Sequence, residues 1–90
     1  MKASYRKSFE RDLKKLKKDH QNLGRIRKAI LEVEEAEELV AIRGLKKLSG
    51  GSAEYYRIRV GDYRIGIEVS DDEVIFTRCL HRREIYRYFP

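Results

Sequence analysis

Between Tyr55 and Pro90 the chain carries seven arginines and no lysine, with five of its six tyrosines; all nine lysines come earlier. The planar fork of arginine binds phosphate bidentately and stacks on flat rings, whereas lysine is a compact hydrated charge. Arg57, Arg59, Arg64, Arg78, Arg82 and Arg83, interleaved with Tyr55, Tyr63 and Tyr86, therefore read as a surface for nucleic acid. The competing reading is that long arginine stems simply cover apolar strand surface. His81 and Tyr86 form a candidate acid/base pair. Histidine titrates near neutrality, and surrounding cations favour a tyrosine phenolate. Each also has a plain alternative: Tyr86 as a half-buried aromatic packing the C-terminus, His81 as a residue at a strand end. Cys79 lies inside a strand pattern and reads as core. Asp71, Asp72 and Glu73 are consecutive and read as a polar turn, so the expected chemistry uses neither metal nor cofactor. Gly50-Gly51 and Gly61 lack the context of a phosphate-binding loop and read as turn residues.

The elements that must position these groups follow from hydrophobic periodicity. Residues 2–6 read as a short first strand. Phe9, Leu13 and Leu16 then recur at helical spacing, with Lys14, Lys15, Lys17 and Lys18 on the wet side. Asn22 is the expected N-cap of a second helix, in which Leu23, Ile26, Ile30 and Val33 form the apolar stripe and which runs to about Glu38. The two stripes predict an antiparallel helical hairpin over one face of a sheet. Residues 39–54 read as a connector with Gly44, Gly50 and Gly51 as breakers. The period then becomes two. Ile58, Val60, Ile65 and Ile67 fall on one face, and Tyr55, Arg57, Arg59 and Arg64 on the other, with tight turns at Gly61-Asp62 and Asp71-Asp72. A further strand covers about Glu73–Leu80, and residues 82–88 read as a short helix or an irregular tail. The predicted architecture is α+β: a small antiparallel four-stranded sheet, β-α-α-β-β-β, with the hairpin on one face and the arginines on the open face. Three arginines on adjacent strands repel one another, which calls for an anionic ligand.

Bulk properties narrow the classes. Ninety residues make one domain, 1–90, with a modest core. A formal charge of +6 and a pI near 9.6 favour an anionic partner: RNA, DNA or an acidic protein segment. One cysteine excludes an internal disulfide, and with two histidines it excludes a familiar zinc cluster. The N-terminus MKASYRKSFERDLKKL has no apolar h-region and no stretch is long enough to span a membrane, so a soluble cytoplasmic protein is expected.

The order strand, two helices, three strands, with YYRIRVGDYRIGIEV followed by HRREIY, resembles the RelE/ParE superfamily of toxins from type II toxin–antitoxin systems, over essentially the whole chain. The resemblance implies a small sheet with a helical hairpin on one face. For the RelE-like branch it implies a metal-independent endoribonuclease acting on mRNA in the ribosomal A site, in contact with ribosomal RNA. Attack by a ribose 2′-OH would leave a cyclic phosphate. On that resemblance Tyr86 matches the catalytic tyrosine, Arg64 the arginine after the turn tyrosine, and His81 the histidine of many relatives. Arg57 and Arg59 match basic strand positions that are lysine elsewhere, and Arg82 or Arg83 matches a C-terminal arginine. Leu80 stands where many relatives have glycine. The resemblance also implies a cognate antitoxin as partner. Two alternatives share the fold: a ParE-type inhibitor of DNA gyrase without nuclease chemistry, and a degenerate nucleic-acid-binding member.

Overall fold

The computed structural model describes residues 1–48 and 54–90, so the expected breakers Gly50 and Gly51 lie outside the described residues. The chain runs β1 (Lys2–Tyr5), α1 (Lys7–Lys15), α2 (His20–Glu35), a 3₁₀ turn (Leu39–Ala41), β2 (Leu45–Lys47), β3 (Glu54–Val60), β4 (Tyr63–Ser70), β5 (Glu73–His81) and α3 (Ile85–Tyr88). One sheet holds the strands in the order β1-β5-β4-β3-β2. Two features correct the expected four-stranded antiparallel sheet. Part of the connector forms a fifth strand, β2, antiparallel to β3. The sheet is also mixed, because β1 pairs parallel with β5. The helical hairpin carries the chain from the β1 edge over the sheet to the β2 edge. The meander β2-β3-β4-β5 then returns beside β1, and a crossover of this kind permits parallel pairing.

Local chemistry sets the element ends. Gly61, at φ 59°, takes the left-handed conformation in the two-residue β3–β4 turn, and Asp71 does so at φ 52° between β4 and β5. Helix α2 begins before the expected cap. The Asp19 carboxylate accepts from the Asn22 backbone N–H (3.2 Å) and side-chain amide (2.7 Å), so Asn22 is a third-position donor within the helix. Those bonds hold the Asp19 carboxyl below its ordinary range. The helix stops at Glu35, where Ala36 turns extended, rather than at Glu38. Phe9, Ile26 and Val33 from the hairpin pack with Ile58, Ile65, Ile67, Val74 and Phe76 from the sheet to form the main core.

β5 does not alternate uniformly. Gly66 pairs with Arg78 but its neighbour Ile67 pairs with Phe76, so Thr77 is an extra residue, a bulge. The bulge turns Cys79 and His81 onto the helix side with Phe76, and Arg78 and Leu80 onto the arginine side. β1 ends beside Phe76, and α1 satisfies the edge beyond it. Ser8 Oγ donates to the Thr77 carbonyl (2.6 Å). Asp12, 3% exposed, accepts from Cys79 N–H (2.9 Å) and from Arg78 Nε (2.8 Å) and Nη2 (3.1 Å). Burial, with Asp12 beside it, pushes the Cys79 thiol up to about 12, so it stays protonated at neutral pH, as a core residue does.

The arginine face is not open throughout. Leu80, Ile85 and Phe89 form a second small core there, with Leu48 and Tyr55 packed against it. Alternation correctly separates the faces of β3 and β4, but it contains no information that the C-terminal segment folds back over part of one face.

Removing the Asp12 carboxylate leaves a half-buried cation and a buried N–H without their partner. Asp12→Ala is expected to cost about 3 kcal/mol of unfolding free energy, measured by urea denaturation. Asp12→Asn, which keeps one acceptor, is expected to cost less.

Candidate functional site

Register brings the basic residues together. Lys46 on β2 lies beside Arg57 on β3, and Arg59 lies beside Arg64 on β4, so four cations occupy two neighbouring cross-strand rows. Like charges placed opposite one another destabilise a sheet. These line a cleft of about 330 Å³ together with Tyr86 from α3. Gly44, at φ 71°, brings the chain leading into β2 against β3: its carbonyl accepts from the Arg59 N–H (3.0 Å), and a β-carbon there would lie 3.0 Å from the Arg59 carbonyl oxygen.

Two side chains are held in place. Arg64 Nη1 donates to the Gly61 and Tyr63 carbonyls, both at 2.9 Å, tying the guanidinium to the β3–β4 turn. The Arg57 guanidinium carbon lies 4.4 Å from the centre of the Tyr86 ring, a cation–π contact. Tyr86 is 72% exposed, so it is not the half-buried packing residue of the alternative reading; Ile85 and Phe89 do that packing. The Arg57 guanidinium beside it is the largest cause lowering the Tyr86 phenol below its ordinary value, and the charges of Lys46 and Arg64 add to it. Tyr63 shows the reverse. On the helix side its burial, with Asp19, Glu84 and Asp62 nearby, raises its phenol.

The remaining candidates lie elsewhere. His81 sits on the helix side through the Thr77 bulge, edge-on to Tyr63 with ring centres 5.6 Å apart, and its Nδ1 accepts from the Arg83 N–H (3.2 Å). It lines a separate cleft with Asp12, Lys15 and Glu84, so the pairing of His81 with Tyr86 is corrected. Arg78 is on the cleft's side of the sheet but is committed to Asp12. Arg82 is exposed and lies 3.7 Å from the Asp62 carboxylate; its N–H donates to the Asp62 carbonyl (2.7 Å). Arg83 is also exposed and lines neither cleft. Tyr55 packs at a right angle against Phe89 and is partly buried beside the C-terminal segment. Lys46 is the cleft residue that sequence reasoning missed. Its strand is three residues long, too short for alternation to register, and the surrounding glycines suggested a loop.

The family described as ParE toxin of type II toxin-antitoxin system, parDE, matches residues 3–86. Toxin RelE3 of Methanocaldococcus jannaschii is 48% identical over 94 residues, covering 100% of both chains. The crystal structure of a RelB–RelE antitoxin–toxin complex from Methanococcus jannaschii superposes with a TM-score of 0.77 at 44% identity, covering 96% of this chain and 98% of that one. The archaeal RelE–RelB complex from Pyrococcus horikoshii gives 0.69 at 24% identity, over 90% of this chain and 93% of that one, a likeness of fold.

The electrostatics of the cleft are testable without any substrate. Because the folded-state value of Tyr86 lies below the unfolded value near 10, its ionisation favours the folded chain. The contribution is complete above the unfolded value and is lost as pH falls through the folded one. Absorbance titration, with Tyr86→Phe subtracted, is expected to show Tyr86 ionising at lower pH than Tyr63. Arg57→Met is expected to move the Tyr86 midpoint upward.

Proposed function

The chain belongs to the RelE/ParE family of toxins from type II toxin–antitoxin systems, and from that premise we propose that it is a ribosome-dependent mRNA endonuclease that works without a metal ion. The observation that supports this most is the Arg57–Tyr86 contact inside a cleft lined by Arg59, Arg64 and Lys46. A DNA gyrase inhibitor has no need of an activated phenol within a phosphate clamp.

The reaction is attack of a ribose 2′-OH on its adjacent phosphorus. The Tyr86 phenolate takes the 2′ proton, the new O–P bond forms, and the bond to the 5′ oxygen breaks, leaving a 2′,3′-cyclic phosphate and a 5′-OH. The pentacoordinate state carries extra negative charge. Arg64, already fixed by the turn carbonyls, and Arg57 stabilise it, and preorganised donors of this kind need no reorganisation as charge develops. Arg59 holds a flanking phosphate. The departing oxygen requires a proton. With His81 on the far side of the sheet, and guanidinium groups that scarcely titrate, Lys46 is the cleft group suited to supply it. The cationic lining takes the place in charge stabilisation that a metal ion fills in other nucleases, and it would repel one.

The related archaeal toxins occur in complexes with RelB antitoxins. This chain, in the same reading, is neutralised by a cognate antitoxin whose acidic segment covers the cationic cleft, ordering as it binds.

Induced expression followed by mapping of cut sites on translated mRNA tests the reading. Cleavage is expected with cyclic-phosphate ends. Tyr86→Phe and Arg64→Ala should each reduce it by about a hundredfold or more, and a 2′-deoxy substitution at the cut position should abolish it. Full toxicity in both variants together with blocked gyrase supercoiling would contradict it.

A further inference from the structure

The cross-strand row that begins with Lys46 and Arg57 continues through Gly66 on β4 to Arg78 on β5. Three members of this row are long cations and one has no side chain. The C-terminal segment lies across it with an aromatic ring over each of the last three positions. Tyr86 lies over Arg57 at 4.4 Å, and Tyr88 lies near Arg78 at 5.4 Å. Phe89 covers Gly66 so closely that a β-carbon on Gly66 would fall 2.6–2.8 Å from three of its ring atoms.

Nothing in the backbone demands glycine at this position. Gly66 is not among the residues with positive φ, unlike Gly44 and Gly61. The remaining reason for the missing side chain is the ring above it. Phe89 is 3% exposed, edge-on to Tyr55, and its N–H closes the last turn of α3 on the Ile85 carbonyl (2.9 Å). Tyr86 itself is mostly exposed and, among the described residues, belongs to neither core cluster. A four-residue helix does not hold a position by itself. Its place on the sheet comes from the two buried residues that flank Tyr86, namely Ile85 and Phe89.

We propose that Gly66 is a positioning residue: the gap it leaves in the row of cations is the seat of Phe89, and that seat fixes α3 so that Tyr86 stands over Arg57. The inference rests on the reading of Tyr86 as the base, but its physical content, the placement of the phenol, is separable from the nuclease activity. Sheet residues Lys46, Arg57 and Arg64 face the phenol and lower it, so its ionisation reports whether it remains in place.

The test uses the purified full-length chain and two readouts: the Tyr86 absorbance titration, with the matching Tyr86→Phe protein subtracted, and single-turnover cleavage of ribosome-bound message. Gly66→Ala is expected to raise the Tyr86 midpoint toward the ordinary tyrosine value of about 10. Cleavage should fall about ten- to a hundredfold, as for other small misplacements of a catalytic group. In the Tyr86→Phe background Gly66→Ala should cost no further activity. Phe89→Leu, whose branched end can yield to a methyl group, should partly restore both readouts in the Gly66→Ala protein. Should Gly66→Ala not fold, Phe89→Ala empties the seat instead of filling it and should raise the midpoint in the same way. A folded Gly66→Ala or Phe89→Ala protein with an unchanged Tyr86 midpoint overturns the proposal. A shifted midpoint in a protein whose wild type cuts no message supports the seat and refutes the nuclease reading.

Discussion

The bulge at Thr77 governs which side chains meet. One extra residue in β5 reverses the alternation, so Arg78 and Leu80 join the arginine side while Cys79 and His81 go under the helices. The irregularity is held by α1: Ser8 bonds the bulged carbonyl, and the buried Asp12 takes the next free N–H together with the Arg78 guanidinium. The first helix is therefore both a cover for the core and the partner that completes an edge strand left bare where β1 ends. Leu80, turned to the arginine side, gives the C-terminal segment a buried apolar footing there, which Ile85 and Phe89 join together with Leu48 and Tyr55.

On this frame the cationic face divides into two parts with different tasks. Beside β4 and β5 it is roofed by the C-terminal segment. Beside β2 and β3 it remains a cleft, where Lys46, Arg57, Arg59 and Arg64 are close enough to repel. Concentrating like charge in this way works against stability, and part of the strain is relieved locally: Arg64 is drawn back to the turn, and Arg57 finds the face of Tyr86. What remains is a potential that an anion would complete. The same potential favours the charged form of the phenol, so the proposed phosphate binding and activation of a base would arise from one arrangement of side chains.

Much of this was readable in the residues. The apolar stripes of both helices, the two faces of β3 and β4, and the arginine cluster all follow from spacing, because each is a repeated pattern in which a single misplaced residue matters little. What escaped notice depended on single residues. Thr77 looks like any other strand residue, and an ideal period of two carries His81 toward the arginines. The pairing of β1 with β5 depends on where a crossover ends, which spacing along the chain does not specify. β2 is shorter than the shortest legible alternation, so Lys46 was lost with it. Asp12 reads as one more charge on a wet helix until its partners, more than sixty positions away, are placed beside it. The cap at Asp19 rather than Asn22 is a choice between two adequate capping residues that local sequence does not decide. The role proposed for Tyr86 came from family likeness, and its contact with Arg57 gives that proposal a physical basis.

What decides the chemistry is whether an arginine-activated Tyr86, rather than His81, takes the proton. Single-turnover cleavage of ribosome-bound message across the neutral pH range decides this directly. With a phenol as base, the rate climbs with pH until Tyr86 ionises, and Arg57→Met, which removes the cation that lowers the phenol, moves that climb to higher pH. A profile that Arg57→Met leaves unmoved and that only His81→Gln abolishes would place the base on the opposite face of the sheet and contradict that reading.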